Sequence, residues 1–279
     1  MGYGVSFGAV SVLNAVPTGI GATIGIDLKT EALFERKGNG RTAGTEKTNP
    51  GFFELLEICV SAAYRIAGEK EPENWTLSVT SEIPPSAGLK SSSSVCNAVI
   101  LSVLDELNFR TDPITFLKSG TECARRAGVS VTGAFDDACG CHFGGYVMTD
   151  NGSNEIIFLR DFPEYDVVIR VPPRTAERNP ELLRAAAAGQ AKALALAETD
   201  PFEALTLNGR FVAETLGLDN RFAENALRHG ALAAGISGFG PATAVILEKD
   251  TAESFMKETE SKDVIVTKTR KLCESEKAP

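Results

Sequence analysis

The sequence has no run of about eighteen apolar residues, so no membrane-spanning helix is expected. It has no cluster of lysine and arginine, and its net charge is −9. A nucleic-acid partner is therefore not expected, because phosphate-backbone binding needs a basic patch. The start, Met1-Gly2-Tyr3-Gly4-Val5, lacks the basic-then-apolar pattern of a secretory leader, and the expected location is cytoplasmic. The six cysteines, Cys59, Cys96, Cys123, Cys139, Cys141 and Cys273, form no C-x-x-C pair. Reduced, mostly buried thiols explain them better than a metal site does, even with His142 beside Cys141. There is no internal repeat. What remains is 279 residues, 43% of them hydrophobic, enough for one large domain or two closely packed ones.

The most informative stretch is Ile83-Pro84-Pro85-Ser86-Ala87-Gly88-Leu89-Lys90-Ser91-Ser92-Ser93-Ser94. Two prolines end an extended run, a small turn follows, and four serines open an apolar helix. Val95, Cys96, Val99, Ile100, Val103, Leu104 and Leu107 continue at helical spacing, so the serines are not a linker. Backbone N–H groups and hydroxyls then converge at the positive end of a helix dipole, which suits a phosphate. The competing reading is an ordinary capped helix. Leu89 precedes Lys90, so the loop is not a Walker A loop, which needs glycine there.

Around this loop the pattern is α+β. Strands are expected over Val5–Val12, Ile24–Phe34, Trp75–Val79, Tyr146–Thr149, Ile156–Leu159, Tyr165–Val171, Ala242–Leu247 and Val264–Thr267. Lys37–Arg41 reads as a hairpin tip, and Asp150-Asn151-Gly152 as a hairpin turn. Helices are expected over Pro50–Ala67, with Asn49 as its cap, after Asp112-Pro113 to about Ala127, over Glu181–Glu198, and after Asp200-Pro201. A composition shift near Asp150–Ser153 is the candidate boundary, giving units 1–152 and 153–279.

The second informative stretch is Thr132-Gly133-Ala134-Phe135-Asp136-Asp137-Ala138. Burial would raise the pKa of these adjacent carboxylates, and a nearby cation would lower it. Such a group can accept the proton of a hydroxyl during phosphoryl transfer. A structural cap or ion pair is the alternative. Near the C-terminus, Ser237-Gly238-Phe239-Gly240-Pro241-Ala242-Thr243 precedes an apolar strand, and its glycines permit close backbone approach.

Pro84/Pro85, Gly88-Leu89 and Ser91-Ser92-Ser93 resemble motif 2 of the GHMP kinases, the superfamily of galactokinase, homoserine kinase and mevalonate kinase. Lys90 stands where most of that family has glycine, and Ser86-Ala87-Gly88-Leu89-Lys90-Ser91-Ser92-Ser93 is similar to the archaeal-type shikimate kinase branch. Ser237–Ala242 resembles the third family motif. The first motif matches poorly: Ser6-Phe7-Gly8-Ala9 lacks its usual lysine, which argues against galactokinase and mevalonate kinase.

The resemblance implies a two-lobed α+β fold, with a ribosomal-protein-type N-terminal lobe, a ferredoxin-like C-terminal lobe and the site between them. It implies an ATP-dependent small-molecule kinase acting on shikimate, with homoserine kinase or a non-catalytic ligand-binding relative as alternatives. Pro85 to Ser93 would hold ATP, and Lys90 would touch it or the transferring phosphoryl group, a solvated loop lysine being the competing reading. Asp137 would be the base, with Asp136 the runner-up. Mg²⁺ would sit on Ser92 and Glu122, although a plain helix glutamate is the competing reading of Glu122. Substrate contacts would come from Asn14, Thr132, Gly133, Asp136, Gly238 and Gly240. Pro172-Pro173-Arg174-Thr175-Ala176-Glu177-Arg178 resembles a substrate-contacting segment of homoserine kinase. It makes Arg178 the first choice and Arg174 the second for an anionic substrate group, with Thr175 beside them.

Overall fold

The structure, a computed structural model, describes residues 1–37, 40–44, 50–130, 133–173 and 178–273. Asn49, Thr132, Arg174 and Thr175 lie outside the described residues, as do two residues of the expected hairpin tip.

The chain opens with β1 (Gly2–Leu13) and the long β2 (Ile20–Glu35), paired antiparallel. The other edge of β2 serves two partners. Its far half, Thr30–Glu35, pairs with β4 (Trp75–Ser81), and its near half, Ile20–Ile24, pairs with β5 (Tyr146–Asp150). A short parallel β3 (Arg41–Gly44) and an antiparallel β6 (Glu155–Arg160) complete the first sheet. The second sheet is antiparallel, in the order β10 (Val264–Lys268), β7 (Asp166–Arg170), β9 (Thr243–Leu247), β8 (Ala233–Ile236). Because β6 pairs with β5, a boundary at residue 152 would cut that hairpin. The sheets change between Arg160 and Asp166.

Helices α2 (Ser91–Glu106) and α4 (Phe135–Phe143) lie on the first sheet, and α1 (Pro50–Ala67) and α3 (Pro113–Arg126) pack against them and each other. One core of Phe34, Leu56, Trp75, Val99, Leu117 and Phe135 forms beneath them. Helix α2 has serines and β-branched residues that favour it little in isolation. Packing holds it: Ser93 through Ile100 are all buried. It lies so close to β1 that a Cβ at Gly4 would come within 2.0 Å of Ala98 O. A second core, including Val10, Ile24, Leu89, Val167 and Ile246, joins the two sheets into one body. Each large aliphatic side chain removed from water there contributes about 1.5–3 kcal/mol.

The expected helix over Glu181–Glu198 is interrupted. It forms α5 (Pro180–Ala185), a 3₁₀ turn (Ala187–Gln190) and α6 (Ala191–Leu196). The break brings the fully buried Gln190 inward, where its Nε2 donates to Asn14 O and Asn208 Oδ1, both at 2.9 Å. The expectations for α1, α3, β4 and α7 (Pro201–Leu216) hold. Asp112 and Asp200 cap α3 and α7, and each precedes a proline in the first turn. Helices α4, α8 (Arg221–Arg228) and α9 (Ala252–Glu258) and strands β3 and β8 form where no such element was expected.

Candidate active site

Helix α2 begins from a left-handed residue. Lys90 has φ 68° and ψ 25°, and its side chain makes no capping bond. The first intrahelical bond of the turn runs from Ser94 N to Lys90 O, so the N–H groups of Ser91, Ser92 and Ser93 are left without helical partners, as at any uncapped helix start. Gly88 shapes the loop before them. Its φ is +94°, and a Cβ there would lie 2.1 Å from Ser237 O, so loop and Ser237–Gly240 turn touch through bare backbone.

The Lys90 side chain, an ammonium with no acceptor to offer those N–H groups, turns elsewhere. Lys90 Nζ lies 2.8 Å from Asp137 Oδ1 and donates to Ser11 Oγ at 2.6 Å. Burial works against its charge, but the Asp137 and Asp136 carboxylates outweigh that and raise its pKa above the usual lysine value. Asp136 is 3% exposed. Burial, reinforced by the Asp137 charge, pushes its carboxyl up to about 7, while Lys90 and Asn151 pull the other way.

Asn151 sets the orientation of Asp136. Its Oδ1 accepts from Asp136 N at 3.1 Å and from Thr149 Oγ1 at 2.7 Å, so its Nδ2 faces Asp136 Oδ1 as a donor, at 2.7 Å. A turn between β5 and β6 thus supplies the polar cap that Ala134, the left-handed N-cap of α4, cannot. Carboxylates in the first turn of α4 also face the positive end of its dipole.

Lys90, Asp136 and Asp137 line one cleft of about 330 Å³. It gathers Ser11, Asn14, Ser86, Gly88, Lys90, Ser91, Ser92, Ser93, Asp136, Asp137, Arg178 and Gly238, from stretches far apart in sequence. A helix N-terminus, a paired lysine and two carboxylates at one opening can hold a phosphate chain and take a proton from an alcohol beside it.

The N-terminal domain of the GHMP kinases matches residues 56–145. The shikimate kinase of Methanococcoides burtonii is 38% identical over 264 residues, which span 92% of this chain and 90% of that protein. The shikimate kinase of Pyrococcus furiosus is 34% identical over 279 residues, spanning 96% of this chain and 99% of that one.

The chain belongs to the archaeal shikimate kinase family.

Solved GHMP kinase structures share its fold. The Methanococcus jannaschii mevalonate kinase superimposes with a TM-score of 0.78, at 15% identity, over 97% of this chain and 98% of that one. The Lactococcus lactis galactokinase bound to galactose gives 0.67, also at 15% identity, over 97% and 94%.

Within this archaeal shikimate kinase relative, several expected site residues stand away from the cleft. Pro85 is exposed and does not line it. Ala87 and Leu89 are buried at 2% and 0% exposure and anchor the loop from below in the core shared by the two sheets. Gly133 and Gly240 have φ of +85° and +62° and shape turns beside the cleft without lining it. Asn14, by contrast, lines it, held in place where Nδ2 donates to Gly238 O at 3.0 Å and Oδ1 accepts from Val16 N at 2.9 Å. Glu122 sits on α3 with its side chain 53% exposed, 3.6 Å from Arg125 Nη1, and does not line the cleft. Alternate residues on a helix face different ways, and Ala124 is the α3 residue that lines the cleft.

Ser11 was not anticipated at all, while Ser237 and Asn151 were legible only as parts of the glycine-rich motif and of the hairpin turn. Ser11 had one faint signal, a lone hydroxyl in the apolar run Val10-Ser11-Val12-Leu13 of a buried strand.

Proposed function

We propose that this chain transfers the γ-phosphoryl group of ATP to a hydroxyl of shikimate, giving shikimate 3-phosphate. The observation that carries the chemistry is the uncapped start of α2 opening onto the Lys90–Asp137 pair. The substrate follows from the full-length similarity to archaeal shikimate kinases, and ATP as donor goes with the kinase family.

In this reading the N–H groups of Ser91 to Ser93 and the Lys90 ammonium hold the negative oxygens of the phosphates. The substrate hydroxyl oxygen forms a bond to the γ-phosphorus, and the bond from that phosphorus to its bridging oxygen breaks, leaving ADP. Asp137 takes the hydroxyl proton, and Lys90 fixes the orientation of its carboxylate. Asp136, next to it, is held by Asn151. Arg178, exposed at the rim, pairs with the substrate carboxylate.

Divalent magnesium would neutralise charge between the phosphates. Ser92 offers it one hydroxyl oxygen from the cleft wall. Among the described residues no group of three His, Cys, Asp or Glu side chains could hold an ion by itself. That donor set fits magnesium, which keeps its waters and binds chiefly through phosphates.

The test is a panel assay of the purified protein with ATP and magnesium, offering shikimate, homoserine and mevalonate separately, with ADP release and phosphorylated product measured. Phosphorylation of shikimate is expected. Turnover of homoserine instead would move the chain to another specificity, and ligand-induced stabilisation with no ATP turnover would make it a binding protein.

A further inference from the structure

Two serines meet where β1, the loop before α2 and the Ser237–Gly240 turn come together, and their hydrogen bonds differ in kind. Ser237 Oγ donates to Gly88 O at 2.9 Å and accepts from Ser11 N at 3.0 Å. Its one hydrogen is in use, and it closes the junction of three chain segments. Ser11 Oγ accepts from Lys90 Nζ at 2.6 Å and from Gly238 N at 3.0 Å. An ammonium and a backbone N–H can only donate. Both contacts therefore occupy lone pairs of the Ser11 oxygen, and its own hydrogen is left over. Among the described residues no acceptor takes it.

A hydroxyl in a residue 2% exposed is costly to leave without an acceptor. The direction open to it is the cleft, which Ser11 lines together with Gly88, Lys90, Asp137 and Gly238. Lys90 has the matching surplus. Of its three ammonium protons, two go to Ser11 and Asp137, and among the described residues none takes the third. Two spare donors thus sit on atoms 2.6 Å apart at the start of α2. One tetrahedral anionic group presents two adjacent acceptor oxygens to such a fork, whereas a neutral alcohol presents a single oxygen.

We propose that Ser11 is a ligand-contacting residue of the cleft, donating its hydroxyl hydrogen to an anionic oxygen of the transferring phosphoryl group beside the oxygen that Lys90 takes. This rests on the reading of the cleft as a phosphoryl-transfer site. It adds a β1 residue to a phosphate site otherwise built from the α2 start.

The experiment compares Ser11→Ala and Ser11→Thr with the wild-type chain in steady-state kinetics. It also measures thermal stabilisation by ADP alone and by ADP with magnesium and aluminium fluoride, a mimic of the phosphoryl group in flight. A donor aimed at that group acts on turnover, so Ser11→Ala should lose about 10²-fold in kcat, with KM for ATP and for shikimate within about threefold. Ser11→Thr, which keeps the hydroxyl, should recover to within about fivefold of wild type. The extra stabilisation given by aluminium fluoride over ADP alone should shrink in Ser11→Ala, while that from ADP alone stays. Should Ser11→Ala not fold, Ser11→Cys, similar in size and a weak donor, carries the same expectation. A Ser11→Ala kcat within about threefold of wild type, or an unchanged aluminium fluoride increment, overturns the proposal. If the wild-type chain phosphorylates nothing in the panel, the functional reading fails, and the aluminium fluoride increment still decides whether Ser11 meets a phosphoryl group.

Discussion

Lys90 Nζ lies 2.8 Å from Asp137 Oδ1, and the two side chains are 6% and 20% exposed. The lysine that supplies this ammonium also holds φ at 68°, a conformation that an L side chain adopts at a cost of roughly 1–2 kcal/mol. A glycine would hold the same backbone without strain. The position therefore favours its side chain over its local stability, a trade expected of a group that acts on a ligand. Lys90→Gly should relieve the strain, yet remove the ammonium to which the proposed mechanism gives the phosphate oxygens. A turnover loss of about 10²-fold or more is expected, the scale of removing one preorganised donor. Steady-state kinetics with an ATP titration checks it, and unchanged turnover together with unchanged ATP affinity would refute the role.

Asp137 is the partner whose removal tests proton transfer. Asp137→Asn keeps the shape and an acceptor oxygen for Lys90 but cannot take a proton. A base should lose about 10²- to 10⁴-fold in kcat on this change. A loss below about threefold would leave Asp137 as a holder of Lys90 only, with transfer proceeding through positioning alone.

Asp136 gives a prediction about stability instead. Its carboxyl is pushed up to about 7 by burial and by Asp137, from an ordinary value of 3.8. Between those values the folded chain keeps a proton that the unfolded chain has released. The folded state binds more protons, so stability falls as pH rises through this window. Asp136→Asn removes the titration while leaving an oxygen to accept from Asn151. Its Tm relative to wild type should therefore rise on going from about pH 5 to about pH 8. Thermal denaturation at both pH values reads this, and a Tm difference that stays constant would show that Asp136 ionises at an ordinary pH.

Legibility in the sequence divides along local and distant interactions. Helix α1, strand β4 and the capped starts of α3 and α7 were readable because their signals lie within a few residues: alternation in Trp75-Leu77-Val79, and an aspartate before a proline at 112 and at 200. The turn before α2 and the start of that helix were readable for the same reason. Helix α4 was not. Its N-cap is an alanine in the left-handed region, and its polar cap, Asn151, comes from a turn 15 residues away. The Gln190 break in the expected 181–198 helix answers to Asn14, which is 176 residues distant. Ser11 meets Lys90 across 79 residues, so nothing near Ser11 announces its partner. The aspartates were found as a pair, but their different surroundings, one held by asparagine and one by lysine, exist only in the folded chain.

Ser92 and Glu122 were paired by family resemblance as magnesium ligands, and their placement separates them. Ser92 lines the cleft at the start of α2. Glu122 is half-exposed on α3, 3.6 Å from Arg125 one turn along the same helix. A surface pair of this kind contributes about 0–1 kcal/mol, screened by salt. Glu122→Gln should therefore leave kcat and the magnesium concentration for half-maximal rate within about threefold of wild type. Ser92→Ala should raise that magnesium concentration about tenfold or more, the scale on which a disturbed metal site weakens. Magnesium titrations of the initial rate at fixed ATP distinguish the two. A tenfold rise for Glu122→Gln would mean that α3 turns this glutamate inward when the cleft is loaded, because its present position leaves it no ligand to hold.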